Sequence, residues 1–160
     1  MRRLVLRREL SLRKPFLRSY LWTGRDECVV ALPLTYMNRS GSVMPSLMRA
    51  ARAGTGDLVV VCDNMDLPPG TVRLKRRGTS RSHNGLASVM DALGSGEFIR
   101  IYIGIGRPAD ASRVVEHVLS IPPDSERALY ETAFEVAADA ASALLDHDLD
   151  TVMNMLTERQ

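Results

Sequence analysis

An α/β fold is what this sequence predicts, and three observations carry it. Short β-branched apolar runs recur along the chain, segments of helical periodicity lie between them, and polar clusters follow several of the runs. Strands interleaved with helices bury most of a sheet between layers. At 160 residues, with 45% apolar and 25% charged residues, the chain is long enough for one domain with a real core. A single domain over residues 1–160 is therefore expected.

Taken in order, residues 1–25 (MRRLVLRRELSLRKPFLRSYLWTGR) carry apolar side chains without a clean period. They offer one short strand candidate near 15–22, an unusual start for an α/β domain. Residues 27–34 (ECVVALPL) and 57–63 (DLVVVCD) predict buried strands. Residues 71–77 (TVRLKRR) alternate apolar with basic side chains, so this strand has one wet, positive face. Residues 99–106 (IRIYIGIG) predict a further strand that ends at glycines. Helices are predicted over 42–53, 85–94 and 112–119. A longer one over 124–146 rests on Leu129, Ala133, Val136, Ala137, Ala140, Leu144 and Leu145 at helical spacing. It starts at PPD (122–124), with prolines ahead and an acid at the positive end of the helix dipole. A final short helix is predicted near 148–157.

Composition excludes several classes. Two cysteines, Cys28 and Cys62, make neither a disulfide scaffold nor a four-cysteine zinc site, and both lie in strand-like runs as expected buried free thiols. No run approaches the ~18 apolar residues of a membrane span, and the apolar start is broken by Arg7 and Arg8, unlike a secretory signal. A cytoplasmic, non-membrane protein is expected. The net charge of +2 hides an asymmetry. Residues 1–25 hold eight Lys or Arg against Glu9, residues 73–81 add five with no acid, and residues 116–160 hold ten acids against Arg127 and Arg159. Two basic blocks on one chain suit a polyanion such as nucleic acid.

Three polar clusters follow strands, where open α/β sheets collect their sites. In LPLTYMNRSG (32–41), a turn and helix cap account for Ser40 and Gly41 but leave the Tyr36 phenol and Asn38 amide at a strand end, where they can bind a substrate. In CDNMDLPPG (62–70), Asp63 ends a strand and either caps a turn or does chemistry; with Asp66 alone beside it, no metal site is expected. In RGTSRSHNGL (77–86), Ser82 or Asn84 can cap the next helix, whose N-terminus and arginines favour phosphate. GTSRS (78–82) lacks the last glycine of a nucleophile elbow, and its preceding strand is basic, so a serine hydrolase is rejected. The chain has no P-loop and no dinucleotide fingerprint, and GIG (104–106) reads only as a strand end. His117 and His147 read as surface residues.

Together the clusters resemble the bacterial-type peptidyl-tRNA hydrolase family. Its Pro-Leu-Thr-Tyr/Phe-Met-Asn-x-Ser-Gly segment is matched at 33–41, and its Asp-x-x-Asp-Leu-Pro-x-Gly segment at 63–70. Its Gly-His-Asn-Gly-Leu segment is matched at 82–86, with Ser82 in place of glycine, and its Arg-x-x-Ile-Gly-Ile-Gly-Arg-Pro segment at 100–108. Order and spacing agree from about residue 27 onward. The resemblance implies a single α/β domain with a mixed, twisted sheet flanked by helices. It implies cleavage of the ester joining a peptide to the terminal ribose of tRNA, so that tRNA from aborted translation is recycled. Peptidyl-tRNA is the partner, no metal or organic cofactor is implied, and a monomer is expected. By motif, Tyr36 and Asn38 line the cleft at the peptide–ribose junction, and Asn84 hydrogen-bonds the substrate or the attacking water. Asp63 holds a catalytic imidazolium. Arg73, Lys75, Arg76, Arg77, Arg81 and His83 are candidate tRNA phosphate contacts.

One departure is large. The family's general-base histidine lies in an N-terminal segment, a first strand followed by Gly-x-x-Asn-Pro-Gly and Thr-Arg-His-Asn. Neither a histidine nor Asn-Pro-Gly occurs before residue 38 here. Residues 14–22 look like the family's second strand region, so the first strand and helix are expected to be missing, and Tyr20 is not the tRNA-contacting tyrosine of that segment. On this reading His83 neighbours the working residue Asn84 and is not the base. The chain as given is expected to have little hydrolase activity. The alternative is a non-catalytic RNA-binding module with the same fold, and a weaker third reading is a generic α/β protein with a basic surface.

Overall fold

Only two residues separate strand β1 (Tyr20–Arg25) from β2 (Cys28–Pro33), and the two pair antiparallel as a hairpin, with Arg25 opposite Cys28 and Tyr20 opposite Pro33. An isolated bridge between Arg13 and Trp22 extends this pairing. The structure, a computed structural model, describes residues 11–15, 17–25, 28–79 and 83–158. These fall into two units, Met1–Val59 with Arg76–Ile99 and Val60–Lys75 with Arg100–Gln160.

In the first unit the hairpin is followed by a 3₁₀ helix at Met37–Val43, helix α1 (Met44–Ala51) and a short 3₁₀ turn at Thr55–Asp57. Helix α2 (Asn84–Leu93) belongs to the same unit. Met44 and Leu47 in α1, and Leu86 and Val89 in α2, each lie three apart and face inward, joining Tyr20, Val30, Val43 and Phe98 in the core. Arg52, in the left-handed region at φ +54°, ends α1, and Gly94 at φ +64° ends α2.

The second unit is built on a three-stranded sheet ordered β3-β5-β4, from β3 (Val59–Asn64), β4 (Val72–Lys75) and β5 (Ile99–Gly104). β4 and β5 are antiparallel, with Leu74 opposite Ile101. The bonds from Ile99 N–H to the Leu58 carbonyl and from Ile105 N–H to the Asn64 carbonyl advance in one sense, so β3 and β5 are parallel and the sheet is mixed. A short 3₁₀ turn at Ala111–Arg113 leads into α3 (Val114–Leu119). Helices α4 (Asp124–Ala143) and α5 (Leu149–Thr157) pack on each other and on β4. Tyr130, Ala133, Ala137 and Ala140 form the buried stripe of α4, and its small side chains admit Leu149, Val152 and Leu156 from α5. Full burial of a side chain such as Val152 contributes roughly 1.5–3 kcal/mol.

Most predicted elements are present with shifted ends, and four expectations need correction. The strands among the described residues form two sheets and not one, with β1 and β2 bonded to each other as a hairpin and β3, β5 and β4 making the second sheet. The strand candidate at 15–22 lies instead at Tyr20–Arg25. The apolar runs are half-buried and not wholly buried: Val29, Leu32 and Val61 are exposed, since β2 is half of a hairpin and β3 stands at one end of its sheet. Leu129, placed in the buried stripe from its spacing, is 51% exposed and lies over Gly70. The expected absence of a first strand and helix concerns residues outside those described. No helix among the described residues is long and apolar enough to cross a membrane.

Candidate active site

The first cluster begins where Pro33 ends β2. The chain passes Thr35 and Tyr36 and turns into the 3₁₀ helix, which at seven residues is longer than the three or four usual for this geometry. Ser40 Oγ donates to the Met37 carbonyl at 2.9 Å, and Ser42 Oγ donates to the Arg39 carbonyl at 2.8 Å. These side-chain bonds satisfy carbonyls of the tight helix, so Ser40 is not the helix cap its position suggested. Tyr36 is 81% exposed, and Asn38 is also exposed.

Two glycines let the 3₁₀ helix and α2 touch. Gly41 N–H donates to Ser88 Oγ at 2.9 Å, and a Cβ on Gly41 would overlap the Ser88 backbone carbonyl. A Cβ on Gly85 would lie 2.6 Å from Met37 Sδ. The contact carries Asn38 and Asn84 to one open groove of about 670 Å³, which Gly41, Ser42, Ala87 and Ser88 also line, with Asp91 and Ala92 at its edge. Two carboxamides here present both donors and acceptors beside the positive end of a ten-residue helix. Of the sequence-predicted residues, Asn38 and Asn84 are thus brought together, with Tyr36 two residues from Asn38.

His83, not Ser82 or Asn84, caps α2: its Nδ1 accepts from Leu86 N–H at 3.0 Å. Asn84 is the first helical residue, and Ser82 and Arg81 lie outside the described residues. A ring nitrogen that accepts a backbone N–H carries no proton, which gives His83 a structural task at the start of α2.

Asp63 lies in the second unit, half-buried near the carboxyl end of β3. Its neighbour Cys62 is a thiol pushed up to about 12, chiefly by burial and then by the Asp63 charge, against the opposing pull of Arg100. Neither Cys28 nor Cys62 is in a disulfide, and both are half-buried. Beyond β3, Asn64 Oδ1 accepts Asp66 N–H at 2.7 Å, and Asp66 pairs with Arg107.

The loop 104–107 braces this turn. Gly106 N–H donates to the Leu67 carbonyl at 2.9 Å, and Gly70 N–H to the Gly104 carbonyl at 3.1 Å. A Cβ on Gly104 would overlap the Pro68 carbonyl oxygen, so this glycine is required by the close approach and is more than the end of a strand. His117, expected on the surface, is half-buried, and its Nε2 bonds the carbonyls of Ile105 and Gly106 at 2.9 and 3.1 Å.

The basic residues divide between the units. On β4, Val72 and Leu74 are buried while Arg73 and Lys75 are exposed, the alternation expected of a wet, positive face. Arg76 and Arg77 are exposed in the first unit, where Arg77 lies 3.9 Å from Glu97. Sequence reasoning missed Arg100, fully buried on β5 opposite Lys75. Burial pushes the Tyr102 phenol up, against the lowering pull of Arg100. The available signal was a cation inside an apolar run, on a strand that is buried on both faces because it lies between two others.

Comparison with known proteins bears on this site. A family model described as peptidyl-tRNA hydrolase matches residues 4–160, beginning well ahead of residue 27, where the motif agreement starts. A protein named peptidyl-tRNA hydrolase from Dehalococcoides mccartyi is 42% identical over 132 residues, covering 81% of this chain and 70% of that protein. One of the same name from Methylococcus capsulatus is 44% identical over 124 residues, covering 78% and 66%. The crystal structure of peptidyl-tRNA hydrolase from Acinetobacter baumannii superposes with a TM-score of 0.89 at 28% identity, covering 97% of this chain and 81% of that one.

Proposed function

This chain belongs to the peptidyl-tRNA hydrolase family, and we propose that it binds the ester of peptidyl-tRNA at the groove shared by Asn38 and Asn84. The observation that carries this reading is that the two carboxamides line one open groove beside a helix N-terminus. Hydrolysis requires a water deprotonated as it attacks the ester carbonyl, a site for the oxyanion that forms, and a ribose oxygen that leaves with a proton. The Asn38 amide and the Tyr36 phenol fit the peptide–ribose junction. Asn84 orients the substrate or the water. Asp63 orients and stabilises the imidazolium formed when a histidine base takes the proton from water. Arg73, Lys75, Arg76, Arg77 and Arg81 neutralise phosphates along the tRNA, with His83 as a further contact.

The histidines of the sequence are His83, His117 and His147. His83 caps α2 and His117 braces the loop after β5, and neither matches the family's Thr-Arg-His-Asn segment. None of the three lies in such a segment, so slow turnover is the expected outcome for residues 1–160. The test is cleavage of N-blocked aminoacyl-tRNA by this chain and by its Asn38→Ala, Asn84→Ala, Asp63→Asn and His83→Ala variants. Slow cleavage that falls further with the asparagine and aspartate variants supports the reading. Robust cleavage abolished by His83→Ala sinks the assignment of the base, and RNA binding without any turnover favours a non-catalytic RNA-binding module.

A further inference from the structure

A second concavity in the first unit is lined by Arg18, Ser46, Arg49 and Ala50 and has a volume of about 230 Å³. None of these residues is among the tRNA phosphate contacts assigned by motif, although Arg18 belongs to the basic block of residues 1–25. We infer that this concavity is a phosphate-binding site, occupied by a backbone phosphate of an RNA at a second point of contact; the identity of that ligand rests on the function proposed above.

Arg18 comes from the segment before β1, and Arg49 comes from the last turn of α1. Ser46 lies three residues before Arg49 and so on the same helix face. The Tyr20 hydroxyl, on a side chain only 2% exposed, lies 3.5 Å from Ser46 Oγ and backs the serine from the core. The half-buried serine and the two exposed arginines thus line the same concavity.

Two guanidinium groups sharing one concavity repel each other unless an anion lies between them. Among the described residues neither Arg18 nor Arg49 forms a salt bridge. Residues 28–56, which include all of α1, contain Arg39, Arg49 and Arg52 and no acid at all. No acid of that stretch offsets the two guanidinium groups, and the concavity supplies two planar forks and a hydroxyl donor, the set that suits a phosphate oxygen triad. A single surface arginine would be only a solvated charge. Two arginines lining one concavity with a serine backed by a buried tyrosine distinguish this place.

The test measures binding of deacylated tRNA to the full chain over a series of salt concentrations, for wild type and for the Arg18→Gln/Arg49→Gln double variant. Both arginines are exposed, so the variant should keep its urea midpoint, which is checked alongside. The expected result is at least about a tenfold weaker Kd at low salt, with a slope of log K against log salt shallower by about 0.9 for one lost phosphate contact. Ser46→Ala should weaken binding less and leave the slope unchanged. An unchanged Kd and slope in the double variant overturn the inference. A second arm titrates inorganic phosphate by phosphorus NMR: binding of phosphate by wild type, lost in the variant while tRNA affinity is unmoved, makes this a free-anion site and also overturns the RNA assignment. If wild type binds no tRNA at any salt, the proposed function fails with it, an outcome separate from a variant that binds like wild type.

Discussion

Gly41 and Ser88 meet at a point that has room for a hydrogen bond and for nothing larger. The Gly41 N–H donates to Ser88 Oγ at 2.9 Å, and any side chain on Gly41 would run into the Ser88 backbone. This contact fixes the separation of the 3₁₀ helix and α2, and through it the spacing of Asn38 and Asn84 along their groove. The position of the two amides is therefore a consequence of backbone packing four residues away from either of them or less.

Gly41→Ala should accordingly disturb both stability and the groove. Overpacking against backbone cannot be relieved by a rotamer change, and it costs about 1–3 kcal/mol or more. Ser88→Ala keeps the fit but leaves a part-buried N–H without its acceptor, at a cost of about 1–3 kcal/mol. The two variants separate the effects. Gly41→Ala should lower substrate affinity as well as the urea midpoint, whereas Ser88→Ala should lower mainly the midpoint. Equal affinity for wild type and Gly41→Ala would show that the groove does not depend on this contact.

His83 offers a second prediction, because its two candidate roles respond differently to substitution. As an N-cap, its loss in His83→Ala should cost about 0.5–2 kcal/mol, and His83→Asn or His83→Ser should restore most of that. As a general base it would be irreplaceable by either. Thermal unfolding of the three variants, set beside their residual cleavage of N-blocked aminoacyl-tRNA, distinguishes the cases. Recovery of both stability and activity in His83→Asn is the expected outcome, and recovery of stability alone would return the base role to His83.

How much of this was legible in the sequence depends on whether the feature is local. The basic strand at 72–75 and α5 were readable because alternation and helical period are properties of neighbouring residues. Asn38, Asn84 and Asp63 stand out as candidates because each lies in a distinctive run. The 3₁₀ helix at 37–43 was not, since its geometry depends on Gly41 meeting Ser88, 47 residues away. Nor were the burial of Arg100 and the bracing by His117, which depend on strand order and on the return of α3 to the β5 loop. A histidine in a short helix carries no sign of the carbonyls it will meet.

The third prediction concerns Cys62. Its thiol is raised from 9.0 to about 12, so the folded chain holds this proton where the unfolded chain releases it. Between these values the native state binds more protons than the unfolded one, and the stability that the group contributes falls as pH rises from about 9 to about 12. Below pH 9 that contribution is fully present. Cys62→Ala should therefore show a shallower loss of stability across this window than wild type. In the folded chain at pH 8, alkylation of Cys62 should be much slower than that of the same thiol in urea. Rapid alkylation under native conditions would mean that the thiol is neither buried nor repelled by Asp63.

His117 provides the last. Its Nε2–H is shared between the carbonyls of Ile105 and Gly106, and the same loop holds the Asp63–Gly70 turn through the Gly106 to Leu67 bond and the Arg107–Asp66 pair. Removing the donor in His117→Leu leaves two part-buried carbonyls unmet, at about 1–3 kcal/mol. The loop can then open without the rest of the sheet unfolding, because its remaining ties are few and lie near the surface. Hydrogen exchange at the Gly106 amide should speed up markedly in His117→Leu, while the Ile101 and Ile103 amides in β5 keep their protection. His117→Gln, which retains an N–H donor on a side chain of similar reach, should slow Gly106 exchange again. Uniform acceleration across β5 would assign His117 to global stability instead, and no acceleration at Gly106 would mean that the imidazole does not brace the loop.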